Sequence, residues 1–237
     1  MENAHAQVGR AMTPTTAARA LIAVVAFSVV LVPGDRVIAH PDDGTDHDTP
    51  WIGDVVSRSA RGAAGAFEMR VVVAADEEFV RSRGEGWEAD ARAVVMEAED
   101  LMLQVDLVLT VTETTRWESP PGPLPELVDD VVSQVGLPPE AILVALTSQS
   151  WAEAPFYDGW AAASRPVIVI KVTDPHRETL RSLVAHELGH MLGLDEHGSD
   201  HPGDDDGCLM VATGYRHGDR WCPEDKEAVA RVLADIP

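Results

Sequence analysis

Cysteine is scarce in this chain: two residues among 237, Cys208 and Cys222, with none earlier. So few exclude a small scaffold stapled by many disulfides. Basic residues are scarce as well, with 18 Lys and Arg against 40 Asp and Glu and a formal net charge of −22. That balance argues against nucleic acid or an anionic membrane surface as a partner and favours solubility and cation binding, while leaving the substrate open. The apolar run from Ala20 to Val32 has about 13 residues, interrupted by Ser28. A membrane span needs roughly 20.

What that run does fit is a secretory signal. Arg10 and Arg19 precede it, Pro33, Gly34, Asp35 and Arg36 follow it, and Val37-Ile38-Ala39 places a small residue before His40. Residues 1–39 are therefore expected to be a signal peptide, and the mature protein to be secreted, with an uncleaved anchor as the alternative. Cleavage removes Arg10, Arg19, Arg36, Glu2 and Asp35, leaving 198 residues with a net charge of −23 before histidines. That length suits one domain with a real core. A monomer is expected.

Residues 40–66 read as an acidic, flexible leader. Pro41 to Asp48 is polar and strongly acidic, and residues 59–66 are small and rich in Gly and Ala, so neither can bury much apolar area. A short pro-segment that blocks the site downstream is a sharper possibility; with no cysteine before residue 208, it cannot work through a thiol.

The domain is expected over 67–237. Residues 67–75 are rich in β-branched side chains and read as a strand. Trp87, Ala91, Val94, Val95, Ala98, Leu101, Met102 and Val105 recur at helical steps and predict an amphipathic helix of about 18 residues. Strands follow over 107–115, 141–146 and 167–172, with a short helix over 125–135 and an irregular stretch over 151–165 that contains Gly159 to Ala162. Alternating strands and helices make this an α/β (α+β) chain with a mixed sheet.

The stretch that carries chemistry is Val184-Ala185-His186-Glu187-Leu188-Gly189-His190-Met191-Leu192-Gly193. On a helix, His186 and His190 share one face and can both direct an imidazole nitrogen at one Zn²⁺, with Glu187 beside them as a base. Asp174 can cap that helix and Pro175 suits its first turn. Gly193 ends it in a conformation that would turn the chain back toward the metal. Pro223, Glu224 and Asp225 start a terminal helix with acids in its first turn, and Ala228, Val229, Val232 and Leu233 supply its packed face.

In an exported chain, Cys208 and Cys222 are most simply a disulfide, worth about 3 kcal/mol in the chain-entropy model. Ligation of a second metal is the competing reading, but the pair lacks the close CxxC spacing of structural zinc sites.

Residues 184–211 resemble the metzincin clan of zinc endopeptidases, whose extended motif is HExxHxxGxxH followed by a turn containing a methionine. His186, Glu187, His190 and Gly193 match position for position, and Cys208-Leu209-Met210 offers the methionine turn, with Met210. The resemblance implies a twisted mixed sheet, an active-site helix and a small C-terminal subdomain ending in a helix. It also implies a metal-activated water, Glu187 as general base and cleavage of protein or peptide substrates. The third ligand position falls on Glu196, with His197 one residue later. His197 is preferred because a neutral imidazole needs no charge compensation, and Glu196 is the alternative. Where some relatives carry a tyrosine two residues after the turn methionine this chain has Ala212, and Tyr215 is given no role.

Residues 198–207 form an acidic loop that could hold Ca²⁺, although its spacing is not that of an EF-hand and most such runs are solvated surface. Two other functions compete with the endopeptidase: a zinc-containing binding or regulatory protein, and an HExxH peptidase with a distant glutamate ligand such as Glu224 or Glu227. Gly193 speaks against the last, since that type continues its helix there.

Overall fold

β2 (Phe67–Ala75) is the strand on which the sheet is built, and the computed structural model gives it neighbours on both edges. The residues it describes are 51–58, 66–122, 124–149, 159–162, 164–172, 177–197, 207–211 and 218–237. β2 pairs in parallel along its whole length with β3 (Leu107–Arg116), with a register shift between Val71 and Val72. It also pairs antiparallel with β1 (Val56–Arg58) over Phe67 to Met69, and in parallel with β4 (Ile142–Thr147) over Val71 to Ala75. β4 pairs in parallel with β6 (Val167–Lys171), and β5 (Gly159–Ala162) lies antiparallel on β6 as the edge strand. The result is the mixed sheet expected from the alternating elements.

Strand alternation divides the core into two layers. Met69, Val71, Val73, Ile142, Val144, Leu146, Ile168 and Ile170 pack on one face, with Ala91 and Val95 of α3 (Trp87–Met96), Leu101 and Met102 of α4 (Glu99–Met102), and Val184 and Leu188 of α6 (Arg177–Met191). Val72, Ala74, Leu143, Ala145, Val167 and Val169 pack on the other, with Leu127, Val128 and Val131 of α5 (Leu124–Val135). Burial on both faces explains why β4 and β6 read as unbroken apolar runs rather than alternating ones. Among the described residues no helix is long and apolar enough to cross a membrane.

Two expectations are corrected here. The leader over 40–66 is structured at residues 51–58: α1 (Ile52–Val55) and β1 extend the sheet, with Val55 and Val56 buried. The acidic composition upstream hid these two apolar anchors. The helix predicted from Trp87 to Val105 is three consecutive pieces: α3, α4 and a 3-10 turn at Leu103–Val105. Amides of Ala98 and Leu101 bond back three residues, to Val95 and Ala98, which tightens the backbone without moving the apolar face. Asp106, at a left-handed φ of 60°, closes this segment before β3.

Short α2 (Glu77–Arg83) has no counterpart among the expectations. It starts at Asp76, a fully buried carboxylate whose Oδ1 accepts the Phe79 amide at 2.6 Å. Asp76 Oδ2 also accepts the hydroxyls of Ser119 at 3.0 Å and Thr147 at 2.5 Å, tying the ends of β3 and β4 to α2. The signal peptide, Asp174 and Pro175 lie outside the described residues, as do most of the acidic loop proposed for Ca²⁺ and Tyr215.

Candidate metal centre

The metal motif sits on the last turns of α6, and the way that helix ends orients its second histidine. Gly193 takes a left-handed φ of 80°. The Leu194 amide then donates to the Gly189 carbonyl at 3.1 Å and the Gly193 amide to the His190 carbonyl at 3.0 Å, which is a Schellman turn. The turn presents the Leu194 carbonyl to His190, whose Nδ1 donates to it at 2.8 Å. His186 Nδ1 likewise donates to the Leu209 carbonyl at 2.8 Å. Backbone carbonyls therefore hold both rings by Nδ1, so that Nε2 is the nitrogen each could offer to a metal.

Those two Nε2 atoms stand 3.1 Å apart, and Glu196 Oε1 approaches them at 3.7 Å and 4.0 Å. At that separation the two nitrogens can share one proton in a hydrogen bond or both bind one cation. Two nitrogens bound tetrahedrally at the usual Zn–N distance would be about 3.3 Å apart. Two histidines and one glutamate are also a known donor set for catalytic zinc. These residues fit the ion.

Glu187 is buried against this group, 2% exposed, and its Oε2 has no hydrogen-bond partner among the described residues. Burial pushes its carboxyl up to about 7; the charge of Glu196 adds to the rise and His186 opposes it. Burial alone would lower His186, but the Glu196 hydrogen bond and the Glu187 charge outweigh it and the net shift is upward. Glu187 fits because β5 begins at Gly159. A β-carbon there would fall 2.8 Å from Glu187 Cγ and Cδ.

Met210, expected in a methionine turn, lies in a short turn with Leu209. Met210 is fully buried, and its Sδ lies 2.5 Å from where a β-carbon on Gly189 would stand, with Trp221 ring carbons at 3.0 Å from the same point. Gly189 thus lets Met210 and Trp221 pack directly against the α6 backbone.

His197 is not with His186 and His190. After the Schellman turn His197 pairs with Val211 in an isolated bridge, and the adjacent residues Glu196 and His197 go to different clusters. Glu196 goes to the two α6 histidines, while His197 goes to a second cluster with Cys208, Cys222 and Asp225. The preferred third residue, His197, is thus not brought to His186 and His190; the residue brought there is the alternative, Glu196. His197 Nε2 is 2.8 Å from Asp225 Oδ1 and 3.7 Å from Cys222 Sγ, and Cys208 Sγ donates to Asp225 Oδ2 at 3.2 Å. Cys222 caps α7 (Pro223–Ala234), its sulfur accepting the Asp225 amide at 3.4 Å.

The expected disulfide is not formed, and both cysteines are free thiols. Burial pushes Cys208 up to about 12, and the nearby Asp225 carboxylate adds to the rise. Two sulfurs, an imidazole and a carboxylate gathered within 4.8 Å of one another match the four-ligand pattern of closed zinc sites. The sequence signal for this cluster was Cys222-Pro223-Glu224-Asp225, a CxxC spacing with a carboxylate in the second place. Glu224 and Glu227, candidates for a distant ligand, are exposed on α7, as is Asp195 on the loop before it.

No family model matches this chain. No curated protein matches it in sequence either. Solved structures do: archaemetzincin from Methanopyrus kandleri has a TM-score of 0.52 at 19% identity, over 70% of this chain and 96% of that one. A chain from the structure of a chaperone–substrate complex has a TM-score of 0.50 at 17% identity, over 72% of this chain and 34% of that one. On these grounds the chain has a mixed α/β fold, a curled sheet with helices packed on it, similar to that of archaemetzincin.

Proposed function

We propose that this chain is a zinc-dependent metalloendopeptidase in which His186, His190 and Glu196 hold the ion and Glu187 is the general base. The observation that carries the reading is the convergence of those three donor groups beside a buried carboxylate whose Oε2 lacks a partner among the described residues. The archaemetzincin-like fold supports it coarsely, and so does the motif resemblance over 184–211.

Bound between these residues, Zn²⁺ would supply Lewis acidity and lower the pKa of a water molecule to around 7. The protein's own part is to hold and move protons. Leu209 and Leu194 carbonyls keep the two imidazoles oriented, so the Nε2 atoms stay aimed while the reaction proceeds. Glu187, poised by burial near neutral pH, takes the proton of the attacking water and delivers it to the departing amine. Gly159 on the edge strand holds open the space its carboxylate needs.

Export after cleavage of residues 1–39 and a protein or peptide substrate belong to the same proposal. The test is zinc content and cleavage of a broad peptide library by the parent and by Glu187→Ala and Glu196→Ala. Expected are a zinc-loaded parent that cleaves, a Glu187→Ala variant that keeps zinc but not cleavage, and a Glu196→Ala variant that loses both. A parent that holds zinc yet cleaves nothing makes this a zinc-containing binding protein instead.

A further inference from the structure

The two donor clusters are built from the same short segments. Glu196 belongs to the first and its neighbour His197 to the second. Leu209 orients His186 through its carbonyl, and its neighbour Cys208 belongs to the second. Trp221 packs against α6 at Gly189, and its neighbour Cys222 belongs to the second. Three pairs of consecutive residues thus tie the second cluster to the first or to the helix that carries it: Glu196 is a member, Leu209 bonds to His186, and Trp221 packs on α6 at Gly189. Backbone bonds lock the pairs together: the His197 amide donates to the Met210 carbonyl at 2.7 Å and the Leu209 amide to the Arg220 carbonyl at 2.8 Å.

The second cluster brings three separate segments of the chain to one place, at His197, Cys208 and the Cys222–Asp225 turn. Cys208, Cys222 and Asp225 are each 5% exposed or less, so an ion held there would be enclosed by protein. A cation bound by all four groups would close the loops between them as a crosslink does, ordering the segments that carry Glu196 and Leu209.

We propose that the two clusters are energetically linked: a divalent cation held by His197, Cys208, Cys222 and Asp225 fixes Glu196 and Leu209 against α6, and so sets the affinity of the site formed by His186, His190 and Glu196. The inference rests on the reading of His186, His190 and Glu196 as a metal site. Linkage is reciprocal, so an ion in the first site must tighten the second by the same factor. Asp225 and Cys208 are then positioning residues for a site they do not touch.

Co²⁺ alone is a suitable probe for the metal-stripped full chain, because only the thiolate-containing cluster gives Co²⁺ a sulfur charge-transfer band. The parent should bind two ions. Asp225→Asn and Cys208→Ser, folded by circular dichroism, should lose or weaken the sulfur band and bind Co²⁺ at the remaining site about tenfold more weakly. His186→Ala, which leaves the second cluster intact, should weaken the sulfur-band site by a similar factor; it decides the matter if the other variants do not fold. Two ions bound with affinities that neither set of variants changes at the other site would overturn the linkage while leaving the metallopeptidase reading standing. A parent that binds a single Co²⁺, with the sulfur band and no response to His186→Ala, would overturn both.

Discussion

Gly159 and Glu187 share a space that only a glycine leaves open: a β-carbon on the first would stand 2.8 Å from Cγ and Cδ of the second. The edge strand β5 therefore sets where the proposed base sits. Gly159→Ala should keep the fold and the metal content of the parent but push the Glu187 carboxylate aside. A base displaced by about 1 Å can cost on the order of 100-fold in rate, and the loss should appear in kcat rather than in zinc content. Parent-like kcat in Gly159→Ala would mean that Glu187 moves freely or is not the base.

The buried position of Glu187 also carries a stability cost with a definite pH dependence. Its folded carboxyl titrates at about 7 in the metal-free chain, above the ordinary 4.5. A raised carboxyl favours folding while protonated, so its contribution is fully present below about 4.5 and is lost as pH rises through 7. Glu187→Gln removes the ionisation. In the presence of a chelator, Glu187→Gln should be more stable than the parent at pH 8, by up to about 3 kcal/mol, and the difference should vanish near pH 4. Urea unfolding at the two pH values measures it.

Much of this arrangement was legible in the sequence. Apolar runs marked β2, β4 and β6, the 3.6-residue period marked α3 and α4, and HExxHxxG marked α6 and its end. Three features were not legible, each for a physical reason. β1 has only three residues, too few for a strand pattern, and is defined by its antiparallel pairing with the start of β2. Donor preference favours His197 as third member of the first cluster, whereas the pairing of His197 with Val211 and its amide bond to Met210, which the sequence does not show, hold it in the second. Cys208 and Cys222 read as a pair in the sequence because only the fold brings His197 and Asp225 together beside them.

Asp76 makes a prediction remote from the metal centre. One buried carboxylate caps α2 and accepts hydroxyls from Ser119 and Thr147, so truncating it removes the cap and leaves buried donors without an acceptor. Asp76→Ala should cost about 2–4 kcal/mol, more than the roughly 1 kcal/mol of a lost helix cap alone. Chemical denaturation distinguishes the two values. A loss near 1 kcal/mol would show that water replaces the carboxylate in the network.

Gly189 offers a test in which two principles predict opposite signs. In a helix interior, glycine to alanine ordinarily stabilises by about 1 kcal/mol, because alanine has the smaller backbone entropy to lose. At Gly189 the added carbon would meet Met210 Sδ at 2.5 Å and the Trp221 ring at 3.0 Å, both fully or nearly fully buried. Overpacking of a tight core costs about 1–3 kcal/mol. Contact should outweigh propensity, so Gly189→Ala is expected to lower stability in thermal or urea unfolding. Combining it with Met210→Ala vacates the closest atom, and the double variant should lose less than the sum of the two single losses. Additive losses would mean that the α6 backbone shifts away from the methionine turn, and that Met210 does not hold the helix at its present distance.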